Sequence, residues 1–303
     1  MKSPHYKYDV SVIIPTYNRA KLLGYTLDSL VSQNTNKDRF EVVVGDDGSS
    51  DETAQVVEAY RDSLNIKYTF QEDKGYRPAS ARNKAIRLAE GAICLFVDSS
   101  VILHPDCIDE HIRFHKSHVS PVSAIGYVYG FDHNEESEDL LMRLVDVKNP
   151  LASVKNLSKH KIFHDIREVH YDKYNDVLEN LRAPWYYFWT CHLSIAARDL
   201  AVVGLFDEGY DGRWGVEDND LGFRLHRHGV KICLLRRAKS IHYPHGKNKP
   251  ARQREGFANC QYFNRKFNTL ETRTFLDIYL DAAKSLVDLH EICARAATYE
   301  VIS

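Results

Sequence analysis

Gly91-Ala92-Ile93-Cys94-Leu95-Phe96-Val97-Asp98-Ser99-Ser100 is the stretch whose reading decides the fold. Ala92 to Val97 is an unbroken apolar run, short enough for a strand covered on both faces. It stops at Asp98, which two hydroxyl residues follow. A carboxylate just past the carboxyl end of a buried strand stands where open α/β sheets place their ligand chemistry. The plainer use of a lone aspartate is to cap a turn.

The residues before this stretch tip the balance toward a ligand site. Val10 to Ile14 reads as a strand stopped by Pro15, which has no N–H for a central ladder. Asn18 reads as the N-cap of an amphipathic helix carrying Leu22, Leu23, Leu27, Leu30 and Val31 and ending near Gln33. Glu41 to Gly45 is the next strand, closed by Asp46-Asp47-Gly48-Ser49-Ser50-Asp51, and a helix with Val56, Val57 and Tyr60 on one face follows. Ile66 to Phe70 is a third strand. Gly75 to Pro78 is a turn, and Ala79 to Glu90 is a helix closed by Gly91 at its C′ position. Strands alternating with helices predict a parallel sheet with right-handed crossovers. Three strands would then deliver Thr16-Tyr17-Asn18-Arg19, Asp46-Asp47 and Asp98-Ser99-Ser100 to one edge, converging on one crevice. Neither a Gly-x-Gly-x-x-Gly after the first strand nor a phosphate loop ending in Gly-Lys-Ser/Thr is present, so a metal or arginines must manage phosphate there.

Composition excludes several classes. Lys plus Arg is 40 against 42 Asp plus Glu, a balance of −2 that gives no basic field for nucleic acid. The 18 Tyr and 15 His suit a polar, aromatic-lined pocket. Cys94, Cys107, Cys191, Cys233, Cys260 and Cys293 have no paired spacing for zinc or redox work and read as reduced core thiols. No apolar run reaches about 18 residues, and a cytoplasmic location is the expectation.

Val10 to Arg19, the Asp46–Asp51 turn, Gly75-Tyr76-Arg77-Pro78-Ala79-Ser80-Ala81-Arg82-Asn83 and Trp214-Gly215-Val216-Glu217-Asp218 together resemble family 2 glycosyltransferases of the GT-A fold. The Gly-Tyr-Arg…Ala-Arg-Asn form is similar to chondroitin-polymerase-type modules, and the last segment to a Trp-Gly-Gly-Glu-Asp signature shared with galactosyltransferases and polypeptide N-acetylgalactosaminyltransferases. The resemblance covers about residues 8 to 250. It implies a Rossmann-like, mostly parallel α/β sheet flanked by helices, with a nucleotide-binding half over 8–100, an acceptor half over 101–250 and a C-terminal helical extension over 251–303.

The resemblance also implies roles. Pro15, Thr16, Tyr17, Arg19, Asp46, Asp47, Asp98 and Ser99 would bind the nucleotide donor, with Thr16 and Tyr17 lining the nucleobase pocket and Asp47, less surely Asp46, accepting from the uracil edge. Arg77 and Arg82 would steady the diphosphate or ribose, or form helix-surface salt bridges. Asp98 matches the first position of the family's Asp-x-Asp metal motif. Ser100 departs from the third, and a hydroxyl is a poorer ligand than a carboxylate for a hard divalent cation, manganese or magnesium. Either His242 or His245 would complete a metal site with Asp98. Asp218 would be the general base that takes the acceptor hydroxyl's proton, with Glu217 beside it; acidic residues in a helix's first turn are also ordinary dipole partners. Trp189, Trp214 and Gly215 would meet donor or acceptor sugar.

Other stretches are less legible. His111, His115 and His118 read as a polar helix face after Pro105 rather than a metal site. Asn134 to Leu181 is too long for a loop, so helices and a flap near the acceptor are expected. Trp185, Tyr186, Tyr187, Phe188 and Trp189 suit either sugar faces or core packing. Gln253 to Phe267 is expected to close over the donor crevice. An apolar stripe through Phe275, Ile278, Tyr279, Ala282, Leu286, Leu289, Ile292 and Cys293 should pack on the catalytic domain or on a second copy, a homodimer through this helix. The reading is an inverting transferase using a nucleotide-sugar donor, UDP-linked by expectation, on a glycan, peptide, lipid or small-molecule acceptor. The rivals are a retaining polypeptide-type N-acetylhexosaminyltransferase and a nucleotide-sugar-binding protein without turnover. A nucleotidyltransferase shares the fold but would need a basic phosphate loop near the first strand, and none is present.

Overall fold

The computed structural model describes residues 6–131, 135–246, 249–280 and 288–302; Ala282 and Leu286 of the predicted stripe lie outside them. Eight strands form one sheet: β1 Tyr8–Thr16, β2 Phe40–Asp46, β3 Ile66–Phe70, β4 Gly91–Val97, β5 Val101–Leu103, β6 Val122–Tyr129, β7 His192–Ala196 and β8 Lys231–His242. Their order is β3-β2-β1-β4-β7-β6-β8-β5. The first four are mutually parallel, β7 runs antiparallel between β4 and β6, β8 is parallel to β6, and β5 is antiparallel to β8. The carboxyl ends of β1, β2, β3, β4 and β8 therefore share one edge with the start of β7. That edge is where the predicted clusters lie.

Strand periodicity divides the core in two. Val10, Val12, Ile14, Val42, Val44, Ile93, Leu95 and Val97 face one side, while Ile13, Val43, Cys94 and Phe96 face the other. Successive side chains in a strand point to opposite faces, so a continuous apolar run is what a sheet covered on both sides requires. Helices α1 Ala20–Val31, α2 Thr53–Ala59 and, after α3 Pro78–Leu88, α4 Cys107–Ser117 give Leu23, Leu27, Leu30, Val57, Ile108 and Ile112 to the first side. The second side takes Ala79 and Ala85 of α3 and side chains from the later helices: α5 Glu135–Leu144, α6 Pro150–His160, α7 Glu168–Lys173, α8 Ala197–Val203, α9 Glu217–Arg227, α10 Lys249–Phe267, α11 Leu270–Leu280 and α12 Leu289–Ile302. Phe263, Phe275, Leu289 and Cys293 thus pack in the same core as Trp185. Among the described residues, no helix is long and apolar enough to cross a membrane.

Four local readings change. Pro15 does not stop β1: it pairs with Gly45, and the ladder to β4 ends at Ile13–Phe96, so its missing N–H falls beyond that partner. Asn18 does not cap α1. It has φ +48° and its Oδ1 accepts from the backbone N–H groups of Ser50 (2.8 Å) and Asp51 (3.3 Å), while the helix receives its cap from Asp51, whose Oδ2 accepts from the Ala20 N–H at 2.9 Å. Gly91 is not a C′ residue but opens β4, donating its N–H to Ser11 Oγ at 2.8 Å, because β1 passes too close for a side chain. His111 also lies in the interior rather than on a polar face.

Gly45 sets the approach of α3 to β2: a Cβ there would press on the backbone carbonyl of Ala81. Gly45→Ala is expected to destabilise the fold by about 1–3 kcal/mol, as overpacking against rigid backbone does. Chemical denaturation checks it, and an unchanged midpoint would mean that α3 shifts freely.

Candidate active site

The β2 turn separates its two aspartates by function. Asp46, buried, accepts from the N–H groups of Gly48 (3.0 Å) and Ser49 (2.8 Å) and from the Tyr68 hydroxyl (2.6 Å), so its oxygens are committed to the turn. Asp47, also buried, bonds beyond the turn. Its Oδ1 accepts from Gln71 Nε2 and its Oδ2 from the Arg77 N–H, both at 2.6 Å. Burial pushes its carboxyl up against those donors. Thr16 Oγ1 is buried beside this turn without a hydrogen-bond partner, while exposed Tyr17 donates to Asp73 Oδ2 at 2.9 Å. Pro15 and Arg19 flank them, both half-buried. Arg77 turns its guanidinium to the Glu72 carbonyl oxygen and, at 3.5 Å, to Asp47.

Arg82 is not on a helix surface. It is buried, its Nη1 donates to Glu217 Oε1 at 2.9 Å, and its Nη2 lies 3.5 Å from Asp98 Oδ1. The guanidinium therefore bridges the end of β4 to the start of α9. Asp98 keeps about a third of its side chain exposed, while Ser99 and Ser100 are buried. Ser100 Oγ lies 3.4 Å from His242 Nε2 at the end of β8, and the His242 and His245 rings stand 5.1 Å apart. Among the described residues, the set of His, Cys, Asp or Glu donors gathered within 4.8 Å of one another is Cys107, His111 and His192, so Asp98, His242 and His245 do not by themselves form such a set.

Helix α9 opens with Glu217 and Asp218. Glu217 is buried against Arg82; Asp218 is half-buried, its Oδ1 accepting from the Asn219 N–H (2.8 Å) and its Oδ2 from the Thr190 N–H (3.4 Å). Burial, with the adjacent Glu217 charge, pushes the Asp218 carboxyl up to about 7, while Arg82 pulls the other way. Asp220, in the same acidic run, is structural: it accepts from Tyr210, Arg224 and Lys266. Trp214 and Gly215 form the loop before α9, held by Asn259 of α10, whose Nδ2 donates to the Gly215 carbonyl at 2.8 Å, and by Glu255, which accepts from the Trp214 N–H. The helix expected to close over the donor crevice thus braces this loop. Trp189 is half-buried, its Nε1 donating to the Tyr186 carbonyl, whereas Trp185, Tyr186, Tyr187 and Phe188 are core.

Gln71 and Val216 were not anticipated. Gln71 directly follows β3, so the strand-end rule that flagged three clusters applies to it as well. Val216 has φ +78°, a conformation that suits glycine and strains a β-branched residue. The signature it resembles has glycine there.

The sequence matches the model of glycosyl transferase family 2 over residues 11–171 and that of the N-terminal domain of galactosyltransferase over 177–246. It is 40% identical over 266 residues to validoxylamine A glucosyltransferase of Streptomyces hygroscopicus subsp. jinggangensis, covering 88% of this chain and 63% of that protein. Chondroitin synthase of Escherichia coli is 28% identical, over 90% of this chain and 42% of its own length. The chain thus spans less than two thirds of either relative. Among solved structures, Staphylococcus aureus TarS 1–349 in complex with UDP-GlcNAc superposes with a TM-score of 0.63 at 21% identity, covering 89% of this chain and 71% of that one. A mannosyltransferase of Pyrobaculum calidifontis in complex with GDP-Man and Mn2+ gives 0.53 at 17%, covering 98% and 82%. The fold is GT-A, and the chain belongs to glycosyl transferase family 2.

The strain at Val216 has a diagnostic consequence. Val216→Ala loses buried packing and keeps the strain; Val216→Gly loses slightly more packing and relieves it. Val216→Gly is expected to be the more stable of the two by about 1 kcal/mol, the reverse of their usual order. Thermal unfolding of both variants checks it.

Proposed function

We propose that this family 2 member moves a sugar from a nucleoside-diphosphate donor to an acceptor hydroxyl, with inversion, and that Asp218 is the general base. The observation that carries the reading is Asp218 itself: a half-buried carboxylate at the crevice edge, next to the Glu217–Arg82 pair, with its carboxyl pushed up to about 7. Such a group is ionised enough near neutrality to accept a proton and basic enough to want one. The acceptor oxygen attacks the anomeric carbon as its proton passes to Asp218, the new C–O bond forms, and the old one breaks with its electron pair leaving on the diphosphate. Attack from the face opposite the leaving group inverts the centre.

The donor's base would sit between Tyr17 and the Thr16–Asp47 turn. There Asp47, fixed by Gln71, offers an acceptor to a ring N–H, and the orphaned Thr16 hydroxyl gains a partner. A uracil edge presents such an N–H, and the TarS neighbour was solved with UDP-GlcNAc. Because Arg82 is buried between Glu217 and Asp98, Arg77, whose guanidinium meets the Glu72 carbonyl and Asp47, would be the better placed of these two to approach the diphosphate. A divalent cation would be held by the partly exposed Asp98 carboxylate with His242 or His245, and diphosphate oxygens and water would supply its other ligands. When bound, it would neutralise charge developing on the leaving group. Trp189, Trp214 and Gly215 would meet the sugars.

Two measurements test this. Turnover of UDP-sugar, scored as kcat/KM against pH, should rise roughly tenfold per unit below an apparent pKa near 7, since protonated Asp218 cannot accept. Asp218→Asn should lose about 10²–10⁴-fold in kcat while still binding donor. Retained turnover in that variant, or an unchanged anomer in the product, would remove the base or the inversion respectively. Calorimetric titration of UDP and GDP, each with manganese and with chelator, should give manganese-dependent UDP binding that Asp47→Ala weakens. Binding of neither nucleotide would sink the transferase reading.

A further inference from the structure

Beneath the sheet edge lies a side-chain cluster that the transfer reaction does not use. Cys107 and His111 stand one helical turn apart on α4, and His192 opens β7; all three are fully buried. His192 Nε2 lies 3.2 Å from Cys107 Sγ and 3.0 Å from His111 Nε2. All three donor atoms fall within 4.8 Å of one another. The far side of each ring is held by a hydroxyl: His111 Nδ1 by Ser194 Oγ and His192 Nδ1 by Ser240 Oγ, both at 2.8 Å. Ser194 Oγ is in turn 2.8 Å from His115 Nε2. These outer contacts fix both rings with Nε2 turned to a shared point, as outer partners do for metal-binding imidazoles. Room for the His192 ring depends on Gly126, where any Cβ would overlap it.

Hydrogen bonding alone serves this arrangement poorly. His192 Nε2 carries either one lone pair or one proton, yet faces both a thiol and a second ring nitrogen. A cation at the common point would engage three lone pairs at once. We propose that Cys107, His111 and His192 form a three-coordinate site for a soft, thiophilic cation, copper(I) in preference to zinc(II). Thiolate and imidazole donors select both metals. Charge and coordination number separate them. One thiolate and two neutral imidazoles carry −1, so a monovalent ion leaves the buried site neutral, whereas a divalent ion leaves an uncompensated charge in the interior. Structural zinc is also almost always four-coordinate, and these residues supply three donors. Binding releases the thiol proton: Cys–SH plus Cu+ gives Cys–S–Cu plus H+, with no change of oxidation state. The bound ion would pin α4 to β7 and, through Ser240, to the strand that ends in His242.

The test is anaerobic titration of the full chain with copper(I) against the chromogenic chelator bathocuproine disulfonate, with a parallel zinc arm, followed by X-ray absorption at the copper edge. One equivalent held against the chelator is expected, with one sulfur and two nitrogens in the first coordination shell. Cys107→Ser and His111→Gln should each lose that equivalent. Cys260→Ser and His242→Ala should keep it, which separates this site from other thiols and from the proposed catalytic cation. Folding of each variant is followed by circular dichroism. No retained equivalent, a shell without sulfur, or binding indifferent to both Cys107→Ser and His111→Gln would mean a hydrogen-bonded cluster only. One equivalent of zinc that resists displacement by copper(I) would overturn the choice of metal.

Discussion

The buried guanidinium of Arg82 is the constraint on which the rest of the site depends. An isolated cation in a protein interior is costly, so its partners must be carboxylates. Here they are Glu217 at 2.9 Å and Asp98 at 3.5 Å, the first from the start of α9 and the second from the end of β4. One positive charge thus serves a crevice that also holds Asp218. Glu217 takes the closest contact, and Asp218, next along the helix, faces burial and a like charge with only partial relief. The elevated proton affinity of the proposed base follows from how that single arginine is shared.

The same logic extends along α3, which ties the first strands of the sheet to the segment before α9. Asp211 accepts from the Ala79 and Ser80 N–H groups at its first turn, and the Asn83 side chain both donates to the Phe206 carbonyl and accepts from the Phe206 N–H. Just before the helix, the Tyr76 carbonyl accepts from the Gly212 N–H at 2.7 Å. The Gly75–Asn83 segment is therefore a joint: its polar residues bond to positions 206–217, which place Glu217 and Asp218. Gly45 is what lets this helix lie close on β2. Position along α3, more than any direct contact with substrate, accounts for why so many polar residues are gathered there.

Much of this was legible in the sequence because the first hundred residues obey local rules. Short, largely apolar segments, most of them followed by a polar cluster, specify parallel strands and the edge on which they end. The misreadings share one cause. The role of Asn18 depends on Ser50 and Asp51 folding back over α1, that of Gly91 on the nearness of Ser11, and that of Arg82 on Glu217, 135 residues away. None of these partners is visible in a local window. His111 was misjudged for a related reason: helical spacing tells which residues share a face, but not whether that face meets solvent or a sheet.

The charged stretch between Asn134 and Leu181 resisted reading because a few of its charges are buried in pairs while most stay exposed, and a local window does not tell the two kinds apart. Arg167 is fully buried, paired with Asp165 at 2.6 Å, and donates to the Tyr187 carbonyl at 2.9 Å. Its guanidinium lies 4.7 Å from the centroid of the Trp189 ring. Arg236 on β8 likewise draws Glu168 and Asp176 against the sheet. Side chains that look like a uniformly solvated surface in sequence thus include neutralised pairs that hold this segment against β6 and β8. The Arg167 pair also fixes one face of Trp189, so the aromatic proposed to meet sugar is held from behind by a buried ion pair. A cation stacked on a ring restrains its tilt at little entropic cost, since both partners are already immobilised by other bonds. The least readable part of the chain therefore acts on the site indirectly, by making one of its walls rigid.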